Sequence, residues 1–237
     1  MGAESMAGLS PRLGSGLKSI YGFRKDIFRL FMPPLCAVCE RALAPREAWL
    51  CRECMTDLAA GMELGERTVE MAGGGPMRVV FPLAYTAAVA RLVKDMKYSD
   101  RPGLSGVLVP FLAMALSSMR LAAPVLVPVP LHAAKRRERG YNQSELLADG
   151  VARLTGLEVR RSALRRLRNT RAQAGLEGRK RLLNTRQAFR ADESVAGNHV
   201  ILVDDVLTTG ATLGECAGAL RTRGVSEVTG CVVASSA

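Results

Sequence analysis

Asp204 and Asp205 close the apolar run Val200–Val203 and are followed at once by Thr208, Thr209, Gly210, Ala211 and Thr212. A strand that delivers two carboxylates at its carboxyl end, then a hydroxyl-rich turn opening a helix, has the chemistry of a sugar-phosphate site. Backbone N–H groups at the helix start, together with the three threonine hydroxyls, would surround a phosphate monoester at the positive end of the helix dipole. The paired acids would hold sugar hydroxyls, directly or through a magnesium ion. No GxxxxGK[ST] run occurs, so this is not a Walker loop.

A second group has ligand spacing: Cys36-x2-Cys39-x11-Cys51-x2-Cys54. Two CxxC turns offer four thiolates, which suit tetrahedral zinc with no open position for substrate or water. Such a site is structural and folds a segment too small to have its own core. An iron–sulfur cluster is the minor alternative, and its colour would betray it. Cys216 and Cys231 lie in apolar runs and read as buried thiols.

Apolar periodicity supplies the elements that must position these groups. Val200–Val203 reads as a strand, Asp204–Thr212 as a polar turn, Leu213–Leu220 as a helix stopped by Gly224, and Val228–Ala234 as a strand. That is a βαβ unit and predicts a parallel sheet covered by helices. Upstream, Val79–Tyr85 predicts a strand, Ala87–Lys97 and Val107–Met119 helices, and Val125–Pro130 a buried strand with its prolines at the terminal end. Asn142, with Glu145 three residues on, predicts a capping box for a helix closed by Gly156. Residues 1–30 read as a flexible start and a short amphipathic helix over Leu17–Phe31, 31–60 as a zinc ribbon, and 61–78 as a linker because of Gly73-Gly74-Gly75-Pro76.

The run Asp-Asp-Val-x-Thr-Thr-Gly-x-Thr after an apolar strand resembles the PRPP-binding motif of type I phosphoribosyltransferases. Val127-Pro-Val-Pro-Leu131, Arg137-Glu-Arg-Gly-Tyr-Asn-Gln143, Arg168-Asn-Thr-Arg-Ala-Gln173 and the N-terminal double CxxC narrow the resemblance to the ComF family. It implies an α/β type I phosphoribosyltransferase-like fold, a parallel sheet flanked by helices, over residues 79–237, preceded by a small zinc ribbon. It also implies PRPP as ligand with magnesium on the pyrophosphate, Asp204 and Asp205 as ribose contacts in the catalytic centre, and Thr208–Thr212 as the phosphate cradle. Association with competence proteins and DNA uptake comes with the family; the acceptor does not.

The chain has 237 residues, and its net charge of +11 is local: His132–Arg190 holds 16 Lys+Arg against 5 Asp+Glu, leaving 17 of each sign elsewhere. A hydrophobic content of 48% excludes intrinsic disorder, a disulfide mini-protein and a collagen-like fibre. Breaking the C1–O bond of PRPP puts growing negative charge on the leaving pyrophosphate, and nearby cations stabilise it. Lys135, Arg136, Arg137 and Arg139, after the Val125–Pro130 strand, are the candidates for that contact. Arg168, Arg171 and Gln173 belong to a long, Gly-punctuated segment expected as a lid. Gln143 would orient phosphate or acceptor, or make ordinary hydrogen bonds; His132 reads first as a structural group. Tyr141 beside the arginines could stack on a base, but so few aromatics within the basic segment favour phosphate contact over base stacking. The surplus at Arg160, Arg161, Arg165 and Arg166 keeps single-stranded DNA as a second partner, and with it the alternative of a non-catalytic DNA-handling module of the transformation machinery that uses the phosphoribosyltransferase fold as a scaffold. No secretory h-region and no apolar run long enough to span a bilayer appear, so a reducing cytoplasmic location is expected.

Overall fold

The computed structural model describes residues 34–119, 124–167 and 188–236. Short runs rich in β-branched residues become the central parallel strands β3 (Val125–Pro128), β7 (His199–Leu207) and β8 (Glu227–Ser235). Being covered on both faces, they are apolar almost continuously rather than alternately. They join β1 (Met62–Glu70), β2 (Pro76–Ala84) and the short β4 (Glu158–Val159) in one six-stranded sheet of order β1-β2-β8-β7-β3-β4. Only the β1–β2 pair is antiparallel. β5 (Leu164–Arg166) and β6 (Phe189–Ala191) form a separate antiparallel pair.

Helix α1 (Arg52–Ala60) precedes the sheet. Between β2 and β3 come α2 (Ala87–Tyr98), a 3-10 turn (Pro102–Leu104) and α3 (Ser105–Ser117); α4 (Ala133–Arg139) and α5 (Gln143–Thr155) follow β3, and α6 (Ala211–Arg221) joins β7 to β8. On one face of the sheet, Leu213, Cys216, Ala217 and Leu220 of α6 pack against Val200, Leu202, Val228 and Val232. Alternate strand residues such as Ile201, Val203, Cys231 and Val233 are buried on the opposite side, where α3 and α5 pack. Gly150 lets those two helices approach: a Cβ there would stand 2.3 Å from Val109 Cγ2.

The predicted βαβ unit is present, with two corrections. Strand β7 does not end at Val203 but runs to Leu207, because Asp204, Val206 and Leu207 keep their parallel register with Val232, Ala234 and Ser235. The acid pair is therefore held on strand, not on a turn. Residues 61–78 are not a linker. Met62–Glu70 is an edge strand, and the Gly73–Gly75 run, with φ of 97, 99 and 91, makes the turn of a hairpin into β2. Only Val69 of β1 is buried, so the strand lacks the apolar alternation that would have revealed it.

One compact unit ends at Cys51 and a second begins at Arg52, so the boundary falls inside the cysteine cluster rather than at residue 60. The helix expected over Leu17–Phe31 lies outside the described residues. No described helix is long and apolar enough to cross a membrane.

Candidate functional site

The connection after β3 runs outward to β4, while that after β7 runs the other way to β8. Neighbouring strands whose connections diverge leave a crevice at their carboxyl ends, where open α/β sheets bind ligands. Asp204, Asp205 and the loop Thr208–Thr212 stand at this point on β7 and the start of α6, as the motif predicts.

Each acid has a different environment. Asp204 Oδ1 accepts from Ser144 Oγ at 2.8 Å and from the Asp205 N–H at 2.9 Å. Burial, and then the charge of Asp205, push its titration up to about 7, although the Ser144 hydroxyl and the Asp205 amide pull the other way. Asp205 is 3% exposed, and its Oδ1 is 2.7 Å from Lys97 Nζ. Its Oδ2 is buried without a hydrogen-bond partner among the described residues.

The Thr208–Thr212 loop is open to solvent. Gly210 caps α6 in the left-handed region, with φ 80 and no side-chain cap. Thr208, Thr209, Ala211 and Thr212 are exposed, and Ala211 N–H makes only a long 3.4 Å contact to Thr209 Oγ1. Gly210 is required twice over, since a Cβ would also meet Val69 Cγ2 at 2.7 Å. Arg67 of β1 steadies the loop from outside, donating to Ser235 Oγ at 3.0 Å and Thr208 O at 3.4 Å.

Asn142 links the two strand ends. Its amide donates to Val129 O at 3.0 Å, and its Oδ1 accepts from the Ser144 N–H at 3.1 Å, placing Ser144 on Asp204. The helix start is as predicted, but the capping box is not closed: Glu145 turns to Arg136 at 2.6 and 2.9 Å. Arg139 donates to Gln143 and lies 5.2 Å over the Tyr98 ring. Of the four basic candidates on α4, Arg136 and Arg139 thus have protein partners, while Lys135 and Arg137 are exposed with none among the described residues. His132 caps α4, accepting from the Ala134 N–H at 3.2 Å, and Tyr141 donates to Met96 O. Arg168, Arg171 and Gln173 lie outside the described residues.

Three residues at this site escape a sequence reading: Lys97, Ser144 and Arg67. Lys97 and Arg67 come from segments without a motif. Ser144 directly follows Asn142 and Gln143, and only its burial at 1% exposure signals its role.

The four predicted metal ligands come together, with the Sγ atoms of Cys36, Cys39, Cys51 and Cys54 all within 4.8 Å of one another. Cys39 and Cys51 Sγ are 3.7 Å apart, matching the separation of about 3.8 Å that tetrahedral thiolates on zinc require. Arg41 donates to Cys39 Sγ at 3.5 Å and Cys51 Sγ at 3.7 Å, and Cys51 N–H to Cys36 Sγ at 3.4 Å. Burial raises the Cys36 thiol, but N–H groups of Cys39, Cys51 and Val38 outweigh it and leave it below the usual thiol range. Cys216 and Cys231, by contrast, are inert core groups, the latter pushed up to about 12 by burial.

A helix-covered parallel sheet with an acid pair and a hydroxyl loop at its switch point is a phosphoribosyltransferase-type domain, and the phosphoribosyl transferase domain family matches residues 121–237. The chain belongs to the ComF family of such proteins. It is 33% identical over 204 residues to the DNA utilization protein YhgH of Salmonella typhi, covering 82% of this chain and 87% of that one. It is 38% identical over 100 residues to the competence protein ComFC of Bacillus subtilis, covering 42% and 39%. Among solved structures, orotate phosphoribosyltransferase from Aeropyrum pernix overlays 76% of this chain and 80% of its own, with 16% identity and a TM-score of 0.36.

Proposed function

We propose that this protein binds PRPP at the carboxyl ends of β3 and β7 and supports phosphoribosyl transfer there. The observation that carries the reading is the placement of Asp204 and Asp205 on β7, directly ahead of the open amino end of α6. The 5-phosphate sits on the Thr208–Thr212 loop, and the two carboxylates accept from the ribose hydroxyls. Magnesium, when bound with PRPP, neutralises charge on the pyrophosphate. The acid pair fits sugar hydroxyls better than a bare cation, since Lys97 already neutralises Asp205. Of the four basic candidates on α4, exposed Lys135 and Arg137 are the ones free among the described residues to meet the leaving group. In the cysteine cluster we place one structural zinc ion.

Ligand-linked stability tests this reading. PRPP with magnesium at one hundred times its Kd should add about 2.7 kcal/mol, which for a chain of this size raises Tm by roughly 5–10 °C. Asp204→Ala with Asp205→Ala should abolish the shift, and equal stabilisation of both proteins would sink the PRPP reading.

A second reading, contact with a nucleic-acid backbone, is favoured by one pair of residues. Arg165 and Arg190 are directly opposed across β5 and β6, where like charges repel. Both are exposed and neither has a hydrogen bond or salt bridge among the described residues; with Ser162, Arg223 and the acids Asp192 and Glu193 they line a concavity of about 550 Å³, in which Glu193 pairs with Arg223 and the charge of Arg165 is felt by Asp192. Arg160 and Arg161, by contrast, are taken up by Glu158 and Asp149, and Arg166 lies 5.3 Å over Phe189. Phosphates would relieve the repulsion. Binding of a fluorescent single-stranded oligonucleotide should weaken steeply with salt, and Arg165→Ala with Arg190→Ala should lower the log–log slope by about 0.7 for each phosphate no longer neutralised. A salt-insensitive interaction, or one untouched by the substitutions, removes this reading.

A further inference from the structure

Lys97 lies in the last turn of α2, a segment with no phosphoribosyltransferase motif, yet its ammonium meets the more buried acid of the pair. An ordinary structural ion pair would satisfy both carboxylate oxygens, because a buried acceptor without a donor is expensive and a buried pair adds little stability by itself. Here the lysine takes Oδ1 alone, and Oδ2 is left without a donor among the described residues. Its neighbour Asp204 is committed differently, with Oδ1 receiving both the Ser144 hydroxyl and the Asp205 amide. The last turn of a helix favours a cation, which fixes Lys97 where it is. Its side chain is 23% exposed, so it lies between the buried acid and the surface.

We infer that Lys97 is the positioning residue of the sugar subsite: by holding Asp205 through Oδ1 it fixes that carboxylate and leaves the buried Oδ2, which has no donor among the described residues, as the acceptor for a ribose hydroxyl. The inference rests on the ribose-phosphate reading above and adds to it the residue that decides whether the sugar, rather than the phosphate alone, is recognised. Without the ammonium, no described residue fixes the Asp205 side chain by a hydrogen bond or ion pair. Asp205 then loses its value as an acceptor, while the Thr208–Thr212 loop and the start of α6 are unaltered.

Calorimetric titration of the full chain with ribose 5-phosphate and, separately, with inorganic phosphate tests this. In the wild type, ribose 5-phosphate should bind more tightly than phosphate. Lys97→Met should reduce that advantage roughly tenfold, the worth of one hydrogen bond to a charged group, with phosphate affinity unchanged. Lys97→Arg, which retains the charge, should keep most of the advantage. Should the methionine variant not fold, Lys97→Gln gives the same readout. A neutral variant that keeps the sugar advantage within twofold overturns the role of Lys97 and leaves the ribose site standing. A wild type with no sugar advantage overturns the ribose reading itself, and Lys97 with it.

Discussion

Removing the metal from the four-cysteine cluster is expected to unfold the segment around residues 34–54 and to leave the sheet intact. Between Pro34 and Cys51, Leu43 and Leu50 are the only large apolar side chains buried. Fully burying such a side chain contributes about 1.5–3 kcal/mol, whereas fixing each residue's backbone costs about 1–2 kcal/mol. Two leucines cannot order eighteen residues, whereas the coordination free energy of the proposed structural zinc, on the order of 10 kcal/mol, would. A colorimetric chelator should release one zinc per chain on thiol modification, and Cys36→Ser or Cys54→Ser should prevent its uptake. Limited proteolysis of the metal-free protein should then cut between residues 34 and 54. Resistance there equal to that of the metal-loaded protein would count against a structural metal.

The second large effect is on α6. Glycine in a helix interior costs about 1 kcal/mol relative to alanine, so Gly214→Ala and Gly218→Ala would stabilise a free helix. In this fold the sign reverses. A Cβ at Gly214 would stand 2.3 Å from Glu70 O; at Gly218 it would stand 2.2 Å from Ala72 O and 2.8 Å from Ala72 Cβ. The obstacles are backbone atoms, held by the hydrogen bond from Ala72 N–H to Gly214 O at 2.9 Å. Neither side can yield without breaking the seat of α6 on the β1–β2 hairpin. Overpacking of this kind costs about 1–3 kcal/mol per site, so the double variant should lose on the order of 2–5 kcal/mol, read as a lowered urea midpoint. It should also weaken phosphate binding, because Gly210 rests on Val69 of the same hairpin. An unchanged or raised midpoint would show that the hairpin adapts.

These glycines show where sequence reading stops. The βαβ unit, the metal ligands and the acid-plus-threonine loop are legible because each is local: apolar runs, a duplicated CxxC and a strand–turn–helix signature lie within short stretches. Edge strand β1 is not, since eight of its nine residues escape burial and its pairing with β2 leaves no apolar alternation. The end of β7 differs from the expected turn because two aspartates and a threonine pair resemble one, whereas ladder bonding to β8 outweighs their weak strand propensity.

Charge shows the same division. The sequence alone places the whole excess of +11 between His132 and Arg190, because charge is a sum that no fold alters. Which cations remain for a partner is a matter of distance, and only the tertiary structure decides it. Glu145, Glu158 and Asp149 take Arg136, Arg160 and Arg161, while Lys135, Arg137, Arg165 and Arg190 stay exposed and without a salt bridge among the described residues. Lys97 is the converse case: a lysine in a segment without a motif is carried 108 positions along the chain onto Asp205, because packing of α2 beside the strand ends brings together groups that no spacing in the sequence relates.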